Sequence, residues 1–139
     1  MNALIHPQYI IAFIDCNKVQ FDIQYYQNIN KYVFRIIFKS NDIKILYKIK
    51  KRLYNIGKIV PIDNHYILII KYQLEQIIKF IRNNNIQNTK IKIQFIRWCY
   101  LYQKLIIEKD LTKSIKEQRK INKRLNFMIK SDYFRKIID

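Results

Sequence analysis

Near its start the chain reads Pro7-Gln8-Tyr9-Ile10-Ile11-Ala12-Phe13-Ile14-Asp15-Cys16-Asn17-Lys18. Proline suits the first turn of a helix, where its missing N–H would have no partner in any case. The residues that follow it are apolar on nearly every side until Asp15. The segment therefore predicts a short helix over residues 7–15 that is buried on most of its surface.

Two alternating runs come next. Apolar residues at 19, 21 and 23 alternate with polar ones, and after a polar turn a second alternating run covers 31–39. Alternation with a period of two is typical of a half-buried strand. The two runs together predict an antiparallel hairpin.

A helix is expected after the hairpin. Asn41 or Asp42 is predicted to cap it, because a short polar side chain accepts hydrogen bonds from the first free N–H groups of a helix. Its apolar residues recur at helical spacing up to Leu53. Gly57 is the only glycine of the chain, and we expect it at a left-handed cap where this helix ends.

The remaining segments repeat this order. Residues 58–62 and 65–71 predict a second hairpin, and residues 74–81 predict a helix that ends at a run of three asparagines. Two more helices are expected over 89–107 and 114–126, and the last of them is strongly basic. The predicted fold class is therefore α+β, with one curved antiparallel sheet covered by helices on one face.

The charge of the chain limits its functions. The 139 residues include 27 Lys and Arg against 10 Asp and Glu, which gives a net charge of +17, and half of the residues are hydrophobic. This is enough apolar sequence for the core of one domain, so the charge is not that of a disordered basic arm. An excess of this size favours a polyanionic partner, above all nucleic acid.

The composition is biased in a second way. The chain has 31 Ile, 20 Lys and 13 Asn, but 1 Gly and 2 Ala. The abundant residues have A+T-rich codons, which indicates an A+T-rich genome such as that of an organelle. Mutational drift in such a genome explains part of the lysine excess, but it does not explain the shortage of Asp and Glu.

Cysteines, histidines and apolar runs give few signals. The longest uncharged run, residues 1–14, is too short to span a bilayer, so no membrane span is expected and the chain is predicted to be soluble. Cys16 and Cys99 are far apart in sequence, and His6 and His65 are the only histidines. Neither a zinc site nor a disulfide framework is predicted, and both thiols are expected to be buried.

Over residues 5–126 the chain resembles the LAGLIDADG homing endonuclease family of the single-motif type. Residues 10–18 align without gaps to the nine letters of the motif. The glycine-containing segment 42–59, the stretch Ile86-Gln87-Asn88-Thr89-Lys90 and the pair Leu125-Asn126 match further landmarks in the same order. The resemblance implies an αββαββα domain over residues 1–126, with C-terminal helices, and leaves residues 127–139 as a basic extension.

The resemblance also implies a chemistry. Two copies of the family's fold pair through their motif helices, and the penultimate acid of each motif binds a divalent metal for hydrolysis of the phosphate backbone. In this chain that acid is Asn17, and Asp15 matches a residue whose role in the family is structural. The motif slot, Asp15 and Asn17, is therefore degenerate, and we assign no catalytic residue, no metal ligand and no cofactor. Ile11 beside Ala12 is expected to add bulk at the helix pairing.

Basic residues are better preserved than the catalytic position. In the second predicted strand, Lys31, Arg35 and Lys39 share one parity, so this face of the sheet is expected to be basic and the other to be core. Lys90, or Lys92, matches a basic residue that the family carries near the cleavage site. The residues predicted to bind nucleic acid are Lys31, Arg35, Lys39, Lys58, Lys71, Lys90, Lys92, Lys116, Arg119, Lys120, Lys123 and Arg124.

These observations favour a domain that has lost catalysis and has kept nucleic-acid binding. Cations on several faces suit folded RNA, so the predicted function is a structural RNA-binding protein of the mitochondrial ribosome. It would be encoded in the organelle, lie in the matrix and contact rRNA and neighbouring ribosomal proteins.

Two alternatives stay open. One is a homodimeric, intron-encoded, site-specific DNA endonuclease, which would use Mg²⁺ and would need Asp15 or Asp22 as its carboxylate. The other is an intron RNA maturase, in which the same fold binds intron RNA without cutting it.

Overall fold

The computed structural model describes residues 4–107. The predicted basic helix over 114–126, with the binding residues assigned to it, the extension 127–139 and the match at Leu125 all lie outside the described residues. The elements are α1 (Pro7–Asp15), β1 (Val19–Tyr26), β2 (Lys31–Ser40), α2 (Ile43–Arg52), β3 (Lys58–Ile62), β4 (His65–Ile70), α3 (Leu74–Asn84) and α4 (Thr89–Tyr102). This order and type of elements confirm the predicted α+β fold class and the αββαββα arrangement.

Helix α1 begins and ends with well-defined caps. The Nδ1 atom of His6 accepts a hydrogen bond from the Gln8 N–H at 3.1 Å, and Pro7 occupies the first turn. At the other end, the N–H groups of Asn17 and Lys18 donate to the carbonyls of Ile14 and Phe13, both at 3.0 Å. Together with a left-handed φ of 61° at Asn17, these two bonds form a Schellman motif.

The four strands form one antiparallel sheet in the order β1-β2-β4-β3. Helices α2 and α4 pack against the same face of this sheet, where Phe38 and Leu68 are completely buried. Trp98 of α4 lies at the centre of an aromatic cluster with Phe21, Phe34 and Tyr102, and its Nε1 donates to the Asp22 carbonyl at 3.0 Å. The cluster fastens α4 to the edge strand β1.

The opposite face of the sheet is not uniformly basic. Ile37 and Ile67 lie on this outward face by register, and both are completely buried. The expectation of a basic face opposite a core face is therefore only half correct, because strand parity assigns a residue to a face but does not determine its exposure.

The expected role of Gly57 is wrong. Helix α2 ends at Arg52, and the left-handed residues after it are Tyr54 and Asn55. The fully buried Leu53 turns the chain back into the core, and the Asn55 N–H then closes the helix on the Lys50 carbonyl at 2.9 Å. Gly57 has a φ of 108°, and a Cβ there would lie 2.9 Å from the Ile69 carbonyl oxygen. It is needed where β3 begins beside β4.

Of the other expectations, some are confirmed and one is half wrong. Asp42 caps α2 by accepting a hydrogen bond from the Lys44 N–H at 2.9 Å, as predicted. Helix α4 ends at Tyr102 and continues as a π-helical turn, Gln103–Ile107. Cys99 is buried, but Cys16 is exposed, so the expectation of two buried thiols is half wrong. Within residues 4–107, no helix is both long and apolar enough to cross a membrane.

Candidate nucleic-acid interface

A cleft of about 260 Å³ opens where the end of α1, the start of β1, the end of β2 and the start of α4 meet. Its charged lining residues are Lys18, Lys39 and Lys90, and no acidic residue lines it. The remaining residues that line it are Asn17, Val19, Gln20, Phe21, Ile37, Asn88, Ile91 and Gln94. The cleft therefore presents ammonium and amide groups, which are donors for an anion.

Two of the lysines are brought together by the sheet. The Lys39 N–H donates to the Lys18 carbonyl at 2.9 Å, which extends the β1–β2 pairing by one residue and places the two lysines opposite each other. Like charges that lie directly opposite across two strands destabilise a sheet. A bound anion would remove this repulsion.

Asp15 joins α1 to the start of α4. Its Oδ1 atom accepts hydrogen bonds from the N–H groups of Gln87 and Asn88, both at 2.9 Å. Asn88 in turn caps α4 through its own side chain, which accepts from the Ile91 N–H at 3.3 Å. The carboxylate of Asp15 therefore has a structural task, in agreement with the role that the resemblance implied for it.

Asn17 takes the conformation that its place in the chain requires. It is the left-handed residue of the Schellman motif, a position at which Gly and Asn are the favoured residues because the left-handed region strains other side chains. Asn17, which occupies the position of the motif's penultimate acid, is therefore well suited to the turn that ends α1.

Arg35 is not available for nucleic acid, which corrects the prediction for this residue. Its Nε donates to Asp22 Oδ2 at 2.7 Å, and its Nη2 makes a second, shorter contact with the same oxygen. The exposed fraction is 6% for Arg35 and 1% for Asp22. The β1–β2 register places these residues opposite each other, so the arginine neutralises a buried carboxylate and does not face solvent.

The residues at the end of α1 do not provide the ligands needed by Mg²⁺, the metal that the resemblance implies. Mg²⁺ is bound through carboxylate oxygens, whereas the end of α1 offers an amide with lysines beside it. Asp15 is occupied by two backbone N–H groups, and Asp22 is paired with Arg35. In residues 4–107, no group of three or more His, Cys, Asp or Glu residues lies close enough together to hold a metal ion.

Cys99 is not suited to act as a nucleophile. Burial raises the pKa of the Cys99 thiol to about 11, and this effect outweighs the opposing effect of the Arg82 guanidinium beside it. The thiol is therefore protonated near neutral pH, and the protonated form is a poor nucleophile.

The predicted binding lysines do not all lie at one place in the structure. Lys39 and Lys90 line the cleft together. Lys31 and Lys58 are exposed at other positions on the outward face of the sheet, and Lys71 is exposed just after β4. Lys92 is turned towards α3, where its Nζ donates to Asn85 Oδ1 at 3.2 Å. The predicted residues Lys116, Arg119, Lys120, Lys123 and Arg124 lie outside the described residues.

Some exposed lysines of the structure are missing from the predicted set of binding residues. Lys18 lines the cleft, and its position directly after the motif could have placed it there. Exposed lysines of α2, at positions 44, 48 and 51, are also absent from the predicted set, because the apolar positions alone define this helix in the sequence. Helical spacing would have found them.

The fold matches solved LAGLIDADG homing endonucleases. A mutant of I-SmaMI has a TM-score of 0.74 and 16% identity, with 99% of this chain and 48% of that chain covered. I-GzeII in complex with its DNA target has a TM-score of 0.72 and 17% identity, with 97% and 54% covered. The archaeal, intron-encoded I-Vdi141I complexed with DNA has a TM-score of 0.53 and 15% identity, with 87% and 96% covered.

These likenesses establish the fold of this chain, which is the LAGLIDADG homing endonuclease fold. The chain spans about half the length of the first structures that it matches. No family model and no curated protein matches it by sequence.

Proposed function

We propose that this chain uses the LAGLIDADG fold to bind structured RNA and does not cleave nucleic acid. The observation that carries the proposal is the cleft at Asn17, which is lined by three lysines and by no acid. A phosphate group suits such a cleft, because it would relieve the repulsion between Lys18 and Lys39. A divalent cation would be repelled by the same ammonium groups.

RNA is favoured over a single DNA duplex by where the cations lie. Exposed lysines occur both on the outward face of the sheet and on α2, so a partner must contact more than one side of the domain to use them. Folded RNA offers phosphates on several sides, whereas one straight duplex contacts a single face. A structural role in a large ribonucleoprotein follows, and the A+T-rich composition favours the mitochondrial ribosome and its rRNA.

Sedimentation tests the ribosomal part of this proposal. Lysates of the source cells are separated on sucrose gradients at moderate and at high salt, and the chain is detected in each fraction. We expect it in a ribosomal-subunit fraction at moderate salt and free at high salt, since phosphate contacts are lost as salt rises. A chain that is free at moderate salt would overturn the ribosomal assignment.

Binding by the purified chain tests the rest. A structured RNA hairpin is titrated with and without EDTA, and we expect equal affinity in both, because no protein-held metal contributes. RNA cleavage, or binding that requires Mg²⁺, would contradict the proposal.

A homodimeric DNA endonuclease is the second candidate, and one observation favours it. Ala12 of α1 and Cys16, which caps its end, are both exposed and lie four residues apart, so this face of the helix is narrow enough for a second helix to approach closely. The expected obstruction by Ile11 is wrong, because Ile11 is buried in the chain's own core.

Cleavage assays separate this candidate from the first. The chain is incubated with DNA of its uninterrupted locus and Mg²⁺ or Mn²⁺. Cleavage that Asp15→Asn abolishes would establish the endonuclease, whereas intact DNA together with RNA binding would support the first proposal.

A further inference from the structure

A second charged surface lies on helix α2, which contributes no residue to the lining of the cleft. Helix α2 has five cations and no acid, and residues 43–62 as a whole contain no Asp or Glu. Arg52 belongs to the packing, since its guanidinium lies over the Phe80 ring at 5.4 Å. The exposed cations of the helix are Lys44, Lys48 and Lys51.

Two tyrosines stand among these lysines. Tyr47 is 56% exposed and Tyr54 is 57% exposed. Residues three and four apart are neighbours on a helix, with about 5–6 Å between their Cβ atoms, so Tyr47 lies beside Lys44 and Lys51. We call the five residues Lys44, Tyr47, Lys48, Lys51 and Tyr54 the α2 face.

Tyr54 is held in place by a strained backbone. Its φ is 61°, a left-handed conformation that is rare for a bulky side chain and unfavourable without compensation. The Asn55 N–H bond to the Lys50 carbonyl, at 2.9 Å, fixes this turn. The result is a defined turn at the end of α2 that leaves the Tyr54 side chain exposed, three residues after Lys51.

The lysines of the α2 face also repel one another. Lys44 and Lys48 are four residues apart, Lys48 and Lys51 are three apart, and like charges at these spacings destabilise a helix. A solvated helix face ordinarily mixes both signs of charge. Neither the repulsion nor the exposed rings contribute to the fold, so both are better explained by a ligand that has phosphates and flat aromatic groups.

We propose that the α2 face is a second nucleic-acid site, which binds an unpaired strand by stacking bases on Tyr47 and Tyr54. Lysines bind any phosphate backbone, but the tyrosines favour bases that are not already stacked in a duplex. Helix α2 packs on the core face of the sheet, through Leu46 and Ile49. The α2 face is therefore separated by the helix and the sheet from the outward face, on which Lys39 of the cleft lies by register. One chain can therefore hold two nucleic-acid segments.

This inference goes beyond the proposed function, because it concerns a surface that the cleft does not share. The test uses the full chain, a duplex RNA hairpin and a fluorescent single-stranded RNA of about 12 nucleotides without self-complementarity. We expect a chain saturated with the hairpin to bind about one equivalent of the single strand, measured by fluorescence-detected sedimentation. A single-stranded DNA of the same sequence shows whether the sugar contributes.

Matched variants locate the site. We expect Tyr47→Ala and Lys48→Glu each to weaken single-strand binding about tenfold at 0.1 M salt and to leave hairpin binding unchanged. Tyr47→Phe should retain stacking. The controls are Tyr72→Ala, at a tyrosine that is 74% exposed outside the α2 face, and Lys79→Glu, at an exposed lysine of α3; both should bind like the wild type.

Stability separates a binding role from a structural one. Lys48→Glu removes the like-charge pairs, so its melting temperature should equal or exceed that of the wild type while single-strand binding falls. The proposal is overturned if the single strand and the hairpin compete for one site, or if Lys48→Glu and Lys79→Glu weaken binding equally. If the hairpin fails to bind, only the proposed binding at the cleft is contradicted. Binding of the single strand to the α2 face is then measured with the chain alone, in a separate titration.

Discussion

Two cross-strand pairs on the same face of β1 and β2 use charge in opposite ways. Asp22 and Arg35 lie opposite each other, are almost completely buried and neutralise one another. Four residues along the same strands, Lys18 and Lys39 also lie opposite each other, but they are exposed and carry the same charge. The charges of the first pair cancel within the protein, whereas the second places like charges opposite each other, a repulsion that a bound anion would remove. Strand parity places all of these residues on one face and does not separate the two roles.

The largest expected effect comes from breaking the buried pair. Arg35→Ala leaves the Asp22 carboxylate buried without its counter-charge, and we expect a loss of about 3–5 kcal/mol in the free energy of unfolding, measured by urea denaturation. Lys39→Ala, at an exposed position of the same strand, is the control and should change stability by less than about 0.5 kcal/mol. The double variant Asp22→Leu/Arg35→Met should recover most of the loss. If Arg35→Ala and Lys39→Ala lowered the free energy of unfolding equally, the distinction between the buried and the exposed pair would be wrong.

The next effect is on binding. Lys39→Glu combined with Lys90→Glu reverses two of the three charges of the cleft, and we expect hairpin RNA affinity to fall about 100-fold at 0.1 M salt, with a salt slope smaller by about two. Stability should be unchanged or slightly higher, because Glu at 39 would face Lys18 as an opposite charge. Lys79→Glu on α3 is the matched control. A salt slope that stays at the wild-type value would show that the cleft does not contact phosphate.

A smaller effect is expected at Asp15. Asp15→Ala deprives the N–H groups of Gln87 and Asn88 of their acceptor, which should cost about 1–2 kcal/mol in the free energy of unfolding. Asp15→Asn keeps an oxygen acceptor and should cost less. RNA affinity should be unchanged in both, because Asp15 is not among the residues that line the cleft. Variants that fold as stably as the wild type would show that the carboxylate has a role other than joining α1 to α4.

The smallest effect is expected at the end of α1. Asn17→Ala should destabilise the fold by about 1 kcal/mol, because alanine is strained in the left-handed conformation, whereas Asn17→Gly should be close to neutral. Thermal unfolding of the two variants measures the difference. The reverse order of stability would mean that the amide side chain, and not the backbone turn, is what the position requires.

Much of the fold was predictable because it follows local patterns. The period of two in residues 19–24 and the helical period around Leu46 identify their elements without reference to the rest of the chain. The motif then implied the arrangement, which the solved structures confirm. The end of α2 was not predictable in this way, because the burial of Leu53 in the tertiary core, and not the glycine, determines where the helix stops.

The candidate site was less predictable than the fold. The role of Arg35 depends on which residue of β1 lies opposite it, and a shift of the register by two residues would have placed a glutamine there instead of Asp22. The cleft depends on three segments that are distant in sequence, the end of α1, β2 and the start of α4. Lys90 was selected by resemblance and Lys39 by parity, and only the packing of α4 against β1 brings them together.

The turns of this chain show how a protein can fold with one glycine. Of the seven residues other than glycine with a positive φ in residues 4–107, four are asparagines: Asn17, Asn30, Asn55 and Asn85. Asparagine is thus the commonest residue at the left-handed positions of these residues, where glycine would otherwise be favoured. Gly57 is outside this exchange, because its φ of 108° and the 2.9 Å approach of the Ile69 carbonyl leave no place for any side chain. Under a mutational pressure that removes glycine codons, Gly57 is therefore the position at which a glycine has to be retained. At Asn17, by contrast, asparagine can occupy the turn that ends α1 without loss of that turn.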